Sequence, residues 1–500
     1  MTTVSGRSLR RALGAAGAVL ALVLALCALG CAESAAPPRG VVLVVVDTLR
    51  ADRLGVHGYQ RPTSPRLDAL AADGVLFRQA VSPAPWTLPS LATLMTSLNP
   101  SVHGAHSPSD LSNLSWYFNP KAFHAFSSLH ESRTTLAETL RDAGFATYGA
   151  VQGSYPTEVF GMGQGFGVYQ QNRTPGVRFD VEDALAWLDG EQPDRFFVYL
   201  HVMEVHAPYT PPGLNPAANR KLDPDRMPYF EEAIAQERDR FLALDFDPDY
   251  RGNVDGSREN LRFLSRVRMR PRPRDVAHLN AIYDQGIAYV DYWLGELVDG
   301  LRQRGLLDEL VLVVTSDHGE EFFEHGRLEH SFSYYEEMLH VPLIVRVPNE
   351  GRGAVVEQAV GLVDVMPTLL DVLGVAGPEG MQGRSVRPLW RAASLPPAEY
   401  LGEASMNRAD RALRGDGFKY IRKLSPHDGK QREELYDLKN DPGERLDRCA
   451  DEPAECARLR ERLTARMQEQ QRAAAGLAAP DAANIDDETR ESLKALGYLE

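Results

Sequence analysis

Two short blocks of this sequence combine the residue types that bind divalent cations. The first, Ser316-Asp317-His318-Gly319, follows the apolar run 310–314, which is rich in β-branched residues. A run of this kind predicts a buried strand in a parallel sheet. Open α/β sheets carry their chemistry where such strands end, so Asp317 and His318 are candidate ligands at a sheet edge.

The second block begins at Asp47. It follows residues 41–46, which are six apolar residues, five of them valine. Two buried strands that both end in aspartate suggest one shared crevice for a cation. An aspartate at a strand end can instead cap the helix that follows, and each block taken alone leaves that alternative open.

A candidate nucleophile lies between the two blocks, at Thr87. Pro89 fits only the first turn of a helix, so the sequence predicts a helix that starts near Leu88 with Thr87 at its N-cap. A hydroxyl there meets unpaired backbone N–H groups and the positive end of the helix dipole. The alternative is an ordinary capping threonine.

Length and charge limit the classes of function. The chain has 500 residues, 43% of them hydrophobic, which is enough for one large domain and a smaller one. Its formal net charge of −15 argues against nucleic acid as a partner. An anionic substrate would therefore need a local cation to attract it.

The first 31 residues predict an export signal. Three arginines precede an apolar run from Ala12 to Gly30, and residues 28–31 resemble a bacterial lipobox that ends in Cys31. We expect a lipoprotein anchored at Cys31, in the cell envelope and facing the periplasm or the exterior. An uncleaved membrane anchor is the alternative, because about 19 apolar residues can span a bilayer.

Two cysteines remain after Cys31. Cys449 and Cys456 are close in sequence and suit a small disulfide loop in an oxidising compartment, with two free thiols as the alternative.

Taken in order, these blocks and several others resemble the sulfatase branch of the alkaline phosphatase superfamily. The resemblance implies an α/β fold: a large mixed β-sheet sandwiched by helices, with a small C-terminal antiparallel sheet. The matching blocks are residues 47–52, 87–90, 196–201, 206–209, 283–291, 316–320, 324–326, 335–337, 341–345, 434–438 and 440–444.

This resemblance suggests boundaries along the chain. We expect a catalytic domain over 39–397, a C-terminal subdomain over 398–450 and a helical, alanine-rich tail over 451–500. The charged, proline-rich and arginine-rich stretch 215–274 is predicted to be an insert that forms a rim or lid over the site.

The resemblance also implies roles for single residues. Asp47, Asp317 and His318 match family metal ligands, and Thr87 stands at the nucleophile position, where it would be a further ligand. His206 matches a substrate-binding histidine, and His330 falls near a substrate-binding lysine of the family. One divalent cation is expected: Mg, Ca or Mn, with Zn also compatible.

The sequence departs from the family pattern at the nucleophile. Sulfatases carry a Cys-x-Pro-x-Arg or Ser-x-Pro-x-Arg block whose first residue is oxidised to formylglycine, whereas this chain has Thr87 and Leu91 at its two ends. Thr48 likewise replaces the second acid of an Asp-Asp pair. A threonine ester has no second hydroxyl through which to eliminate sulfate, so we expect a phosphate or phosphonate ester as substrate, cleaved by water or transferred to another acceptor.

Other functions and roles stay open. The chain could be a sulfuric ester hydrolase of the arylsulfatase type, or a non-catalytic, membrane-tethered binding protein that kept the fold. A proton donor to the leaving oxygen is needed for catalysis, and His206, His330 and His201 are candidates. His201 lies inside a strand-like run, where a hydrogen-bonded structural histidine is the alternative.

Overall fold

The computed structural model describes most of the chain from Pro37 onwards. The predicted leader 1–31 lies outside the described part, and so does the predicted insert 215–274 apart from 261 and 271–274. None of the described helices is long and apolar enough to cross a membrane. The described residues are 37–106, 127–172, 176–209, 261, 271–391, 393–404, 410–424, 430–481, 483, 485 and 487–495.

The strands and helices of the described part are numbered in chain order. The strands are β1 (Gly40–Val46), β2 (Val75–Val81), β3 (Ala146–Gln152), β4 (Val168–Asn172), β5 (Phe196–Val202), β6 (Leu310–Thr315), β7 (Glu321–Phe322), β8 (Leu328–Glu329), β9 (His340–Arg346), β10 (Ala354–Val356), β11 (Val360–Gly361), β12 (Tyr400–Gly402), β13 (Arg411–Gly415), β14 (Phe418–Leu424) and β15 (Gln431–Asp437). The helices are α1 (Pro65–Asp73), α2 (Thr87–Thr96), α3 (Pro100–His103), α4 (Leu136–Asp142), α5 (Val177–Glu191), α6 (Pro273–Gln303), α7 (Glu336–Leu339), α8 (Val365–Leu373), α9 (Pro453–Ala474) and α10 (Asp487–Ala495).

One large mixed sheet organises the described chain. Its strand order is β10-β2-β9-β6-β1-β5-β3-β4, and β11 also pairs with β2. Strand β9 is antiparallel to β2 and β6, while the other neighbours in this sheet are parallel. The central strands β6, β1 and β5 are therefore parallel to one another, and their carboxyl ends lie at the same edge.

The valine-rich strand β1 lies in the centre of the sheet, and both of its faces are buried. Side chains on a strand alternate between the two faces of the sheet. Val42, Val44 and Val46 join a core formed with α1, α5 and α6, and the alternate residues, including Leu43, pack with α2, α4 and α8. Helices thus cover both faces of the sheet, which confirms the predicted fold class.

The small C-terminal sheet is also present. Strands β12, β13, β14 and β15 are antiparallel neighbours in that order. One face packs on α9, where Leu413 and Leu435 contact a cluster that includes Leu459 and Leu463. The disulfide between Cys449 and Cys456 is formed. The boundaries proposed at 397 and 450 stay predictions.

A buried lysine connects this small sheet to the large one. Lys419 on β14 is fully buried, and its ammonium lies 2.8 Å from Glu336 of α7 and 3.0 Å from Glu444. It also donates a hydrogen bond to the Tyr334 carbonyl at 2.9 Å. A buried ammonium needs such partners, so the segment that leads into α7 and the small sheet depend on each other.

Two leucines provide a test of this core. Leu43 is fully buried in β1, whereas Leu446 is 64% exposed. We expect Leu43→Ala to lower the free energy of unfolding by about 3 kcal/mol, because it leaves a cavity under α2. Leu446→Ala is the control, and its effect should stay within about 0.5 kcal/mol. Urea unfolding measures both, and equal effects of the two substitutions would contradict the central position of β1.

Candidate active site

The candidate site lies where the central parallel strands end. In the sheet register, Val45 of β1 is level with His201 of β5 and with Thr315 of β6. Asp47 directly follows β1, and its N–H donates to the Val202 carbonyl at 2.9 Å, which continues the strand pairing by one residue. Asp317 follows β6 by two residues, so the two predicted carboxylates come from neighbouring strands at one edge.

The structure brings Asp47, Asp317 and His318 together. One ligand atom from each of these buried residues lies within 4.8 Å of the other two. The Nε2 atom of His318 is 3.5 Å from Asp47 Oδ1 and 3.4 Å from Asp317 Oδ2. The Nδ1 atom of His318 lies 2.9 Å from the Gly319 carbonyl, which accepts its proton and leaves the Nε2 lone pair directed to the carboxylates.

Thr87 also lies at this cluster, although not as a capping residue. The hydroxyl of Thr87 donates to Asp47 Oδ2 at 3.3 Å, and its oxygen is 3.4 Å from His318 Nε2. Helix α2 begins at Thr87, and Trp86, with extended backbone angles, takes the N-cap position. The predicted N-cap was therefore wrong by one residue, because Thr87 already has helical backbone geometry and its hydroxyl is directed to Asp47. Pro89 does lie in the first turn, as predicted.

Burial opposes the ionisation of both acidic side chains of the cluster. Burial, and after it the nearby carboxylates of Asp317 and Glu320, raise the pKa of Asp47 well above its usual value. Burial also opposes ionisation of Asp317, but His318, His201 and the backbone N–H of His318 hold its pKa below the usual value. Burial lowers the pKa of His318 to about 4, against the opposing effect of Asp317, so its imidazole is neutral at pH 7.

The chemistry of these donors fits a divalent cation. Asp47 Oδ1 and Asp317 Oδ2 are buried and make no hydrogen bond to the residues that the structure describes. Two carboxylate oxygens, a neutral imidazole nitrogen and a hydroxyl supply ligands of the right type without a proton to displace from the imidazole. Asp47, Asp317, His318 and Thr87 would hold such an ion.

The glycine after His318 allows this loop to pack. A Cβ atom on Gly319 would lie 2.0 Å from the Glu337 carbonyl oxygen. The Gly319 N–H donates to the Met338 carbonyl at 2.8 Å, so the backbone of the loop is held against α7. A side chain at this position would push His318 away from the carboxylates.

The two predicted substrate-binding histidines lie beside the cluster. The rings of His206 and His330 have centroids 4.9 Å apart, and those of His330 and His318 are 4.7 Å apart. The Nδ1 atom of His330 is 3.0 Å from Glu320 Oε1, which orients the ring. The structure thus brings all the predicted site residues to one place, and their individual roles stay predictions.

His201 lies beside the two carboxylates, although its position inside a strand is also typical of a structural histidine. Its Nε2 atom lies 3.5 Å from Asp47 Oδ2 and 4.0 Å from Asp317 Oδ2. Its Nδ1 atom is 3.1 Å from the Gln152 carbonyl at the end of β3. Gln152 and Glu320, which orient His201 and His330, were not predicted as site residues, because no local sequence pattern links either pair.

Two other charged groups near the site have structural partners. Arg50 is buried and pairs with Asp52 at 2.7 Å and Glu324 at 2.6 Å. His325 has both ring nitrogens engaged, one 2.5 Å from Glu337 and the other 3.0 Å from the Glu444 carbonyl. Burial alone would lower the pKa of His325, but Glu337 raises it to about 9, so this group forms an ion pair and offers no lone pair to a metal.

The fold and the site are typical of one class of α/β proteins. In this class, acidic side chains that can bind a metal ion and a hydroxyl group lie together at the carboxyl ends of the parallel strands of a mixed sheet. The family model "Sulfatase" matches residues 39–375, and the model "N-sulphoglucosamine sulphohydrolase, C-terminal" matches residues 323–473. The chain belongs to the sulfatase family, as the sequence blocks suggested.

Individual relatives agree with this family. Arylsulfatase K of Bos taurus is 33% identical over 202 residues, which cover 38% of this chain and 37% of that protein. An arylsulfatase of Clostridium perfringens is 22% identical over 455 residues, covering 81% of this chain and 89% of that protein. The match to the bovine protein thus spans little more than a third of its length.

A solved structure shows the same fold. The phosphonate monoester hydrolase of Agrobacterium radiobacter superposes with a TM-score of 0.62 at 22% identity, covering 87% of this chain and 96% of that one.

Neutralising one carboxylate tests the electrostatics of the cluster. We expect Asp47→Asn to raise the melting temperature of the EDTA-treated protein, because it removes a buried charge that burial and Asp317 disfavour. The same variant should bind divalent cations at least about 100-fold more weakly, because a direct ligand is lost. Calorimetry with and without EDTA measures both effects.

Glu336→Gln is the matched control. The Glu336 carboxylate is also largely buried, but it lies 2.8 Å from Lys419 and 3.2 Å from Arg414. Burial opposes its ionisation, yet these cations hold its pKa below the usual value, so the control should lower the melting temperature. A lower melting temperature for metal-free Asp47→Asn as well would show that the acidic pair is not strained.

Proposed function

We propose that this chain is an ester hydrolase that cleaves an anionic ester with Thr87 as its nucleophile. The observation that carries the proposal is the position of the Thr87 hydroxyl, 3.3 Å from Asp47 and 3.4 Å from His318 at the start of α2. A hydroxyl beside a group that can accept its proton is one of the arrangements that activate a nucleophile for covalent ester cleavage.

The residues of the chain have separate tasks in this reaction. Thr87 Oγ1 attacks the phosphorus or sulfur atom, a new bond to Thr87 forms, and the bond to the alcohol oxygen breaks. Asp47 Oδ2 is the first acceptor of the hydroxyl proton. His206 or His330 gives a proton to the departing alcohol, and water later cleaves the ester on Thr87.

The groups around Thr87 offset the negative charge of the ester. A divalent cation bound by Asp47, Asp317, His318 and Thr87 would lower the pKa of the Thr87 hydroxyl and neutralise negative charge on the ester. The backbone N–H groups in the first turn of α2 also favour the negative charge of the ester, because they lie at the positive end of the helix dipole. Pro89 contributes no N–H group. The guanidinium of Arg50 is engaged with Asp52 and Glu324. The imidazoles of His206 and His330 are therefore the side chains that contact the anionic ester.

Similarity favours a sulfate ester as the substrate. Both matching family models carry sulfatase names, and the two curated relatives described above are arylsulfatases. The sulfuric ester hydrolase is therefore better supported by the comparisons than the phosphate or phosphonate hydrolase that the nucleophile predicts.

The nucleophile favours the second candidate, a phosphate or phosphonate ester. Thr87 carries a methyl group where formylglycine hydrate has a second hydroxyl, so a sulfated Thr87 would need attack by water at sulfur. Metal sites cleave phosphothreonine esters by that route without difficulty. A phosphonate monoester hydrolase has the same fold, which makes this ester class compatible with the scaffold.

A panel of p-nitrophenyl esters distinguishes the candidates. We expect metal-dependent release of p-nitrophenol by the full chain from one of four substrates: the sulfate, the phosphate monoester, the phosphodiester or the phenylphosphonate. Thr87→Ala should lower kcat/KM for that substrate by about a thousandfold or more, because the nucleophile is lost. Thr87→Ser should retain most of the activity.

Thr96→Ala is the control within the same helix. Thr96 is buried in α2, and its hydroxyl donates to the Ala92 carbonyl at 2.6 Å, away from the cluster. It should leave kcat/KM almost unchanged. Turnover that survives Thr87→Ala would exclude the threonine mechanism. No turnover of any ester would favour a non-catalytic binding protein or a transferase with a narrow acceptor.

We also propose that the protein is a lipoprotein of the cell envelope. Support comes from the arginine-led apolar run that ends in Cys31, which lies outside the described residues. We expect mass spectrometry of the exported wild-type protein to find an N-terminus at Cys31 carrying lipid. Cys31→Ser should abolish that cleavage and lipid attachment, and a wild-type N-terminus upstream of Cys31 would instead identify an uncleaved anchor.

A further inference from the structure

The chain makes a tight turn directly after strand β1. The Val46 carbonyl accepts a hydrogen bond from the Leu49 N–H at 3.4 Å, so Asp47 and Thr48 are the two central residues of the turn. Thr48 has a φ angle of 59°, whereas Asp47 has a negative φ. A positive φ at the second central residue alone is typical of a type II turn, in which that position normally holds glycine or asparagine.

Threonine is an unfavourable residue for this position. Its branched Cβ crowds the backbone in the left-handed region, so a positive φ at a β-branched residue is rare. Aspartate, which the family pattern has where this chain has Thr48, adopts a positive φ more readily. Other contacts must therefore hold Thr48 in this conformation.

The positive φ determines the direction of the peptide group between Asp47 and Thr48. A type I turn in its place would rotate this peptide by about half a turn and exchange the directions of its C=O and N–H. In the structure, the Thr48 N–H donates to Asp317 Oδ1 at 3.3 Å. The rotated peptide would direct the Asp47 carbonyl oxygen to this carboxylate instead, so that two acceptors would face each other.

Tyr283 of α6 holds the other side of the turn. Its hydroxyl donates to the Thr48 carbonyl at 2.7 Å and accepts from the Arg50 N–H at 3.0 Å. The residues that the structure describes offer these two backbone groups no other hydrogen bond. Thr48 and Arg50 are both buried, and buried backbone groups are costly to leave unpaired, so the hydroxyl fixes both peptides.

The Tyr283 hydroxyl is itself held in place. The residue is 1% exposed, and its ring packs edge-on against Phe322 and Tyr209, with centroids 4.9 and 5.9 Å apart. Burial raises the pKa of Tyr283 far above its ordinary value, and Arg50 offsets this only in part, so the phenol keeps its proton at physiological pH. That proton goes to the Thr48 carbonyl, which can only accept a hydrogen bond.

We propose that Tyr283 is a positioning residue for the acidic cluster. Its hydroxyl holds Thr48 at a positive φ, which directs the Thr48 N–H to Asp317 and fixes Asp47 beside it. Because the hydroxyl bonds to backbone groups of the turn, Tyr283 acts on the cluster through residues 48–50. The inference rests on the metal site of the proposed function and not on its ester.

Titration of the full chain with Mn²⁺ tests the role of the hydroxyl. We expect Tyr283→Phe to bind Mn²⁺ about 10- to 100-fold more weakly, because the turn relaxes to a negative φ and its peptide leaves Asp317. Tyr199→Phe is the matched control. Tyr199 is also fully buried, but its hydroxyl makes no hydrogen bond to the described residues. The control should keep the Mn²⁺ affinity within about twofold of the unmodified protein.

A second substitution separates positioning from a general loosening of the fold. Glycine has no Cβ, so Thr48→Gly removes the cost of the positive φ, and the turn no longer needs the hydroxyl. We expect Tyr283→Phe combined with Thr48→Gly to bind Mn²⁺ within about threefold of Thr48→Gly alone. Equal losses from Tyr283→Phe in the presence and absence of Thr48→Gly would overturn the inference. Unchanged Mn²⁺ affinity in Tyr283→Phe would overturn it as well.

Crystal structures give a readout that does not depend on metal binding. We expect metal-free Tyr283→Phe to have Thr48 at a negative φ with its N–H directed away from Asp317, and the double variant to keep a positive φ at that position. A positive φ at Thr48 in Tyr283→Phe would contradict the inference, and so would a failure of both variants to fold. An unmodified protein that bound no Mn²⁺ would contradict the metal site of the proposed function, and these structures would still decide the role of Tyr283.

Discussion

The structure depends on bringing two carboxylates together in a space where burial opposes the ionisation of both. Asp47 and Asp317 meet because β1 and β6 are parallel and end at the same edge of the sheet. Their repulsion is tolerated because the loops around them are fixed by the backbone: Thr48 N–H and His318 N–H both donate to Asp317 Oδ1, at 3.3 and 2.9 Å. The fold therefore maintains a buried acidic cluster whose donor atoms fit a divalent cation.

Much of this arrangement could be predicted from the sequence. The valine-rich run before Asp47 and the apolar run before Asp317 predict buried strands, because short apolar runs that are rich in β-branched residues favour that structure. The order of the blocks then identified the family and its fold. The disulfide followed from two cysteines that no other pattern explained. Each of these predictions rests on short segments, within which the residues are close together in the chain.

The remaining features depend on contacts between distant segments. The position of His201 relative to the carboxylates follows from the register of β5 with β1, and its proton is set by Gln152 at the end of another strand. No short sequence pattern indicates the position of His201 or the location of its proton. The start of α2 was predicted one residue late, because the proline rule restricts the first turn of a helix without fixing its first residue.

The buried lysine of the small C-terminal sheet has a consequence for the evolution of this protein. Lys419 is neutralised by Glu336, which lies in the segment that follows His318, and by Glu444 beyond the last strand. A recombination event that joined the front of this chain to the rear of a relative near residue 397 would separate the lysine from one of its counter-charges. An exchange of only one of the two sheets would therefore leave a buried ammonium with a single carboxylate partner.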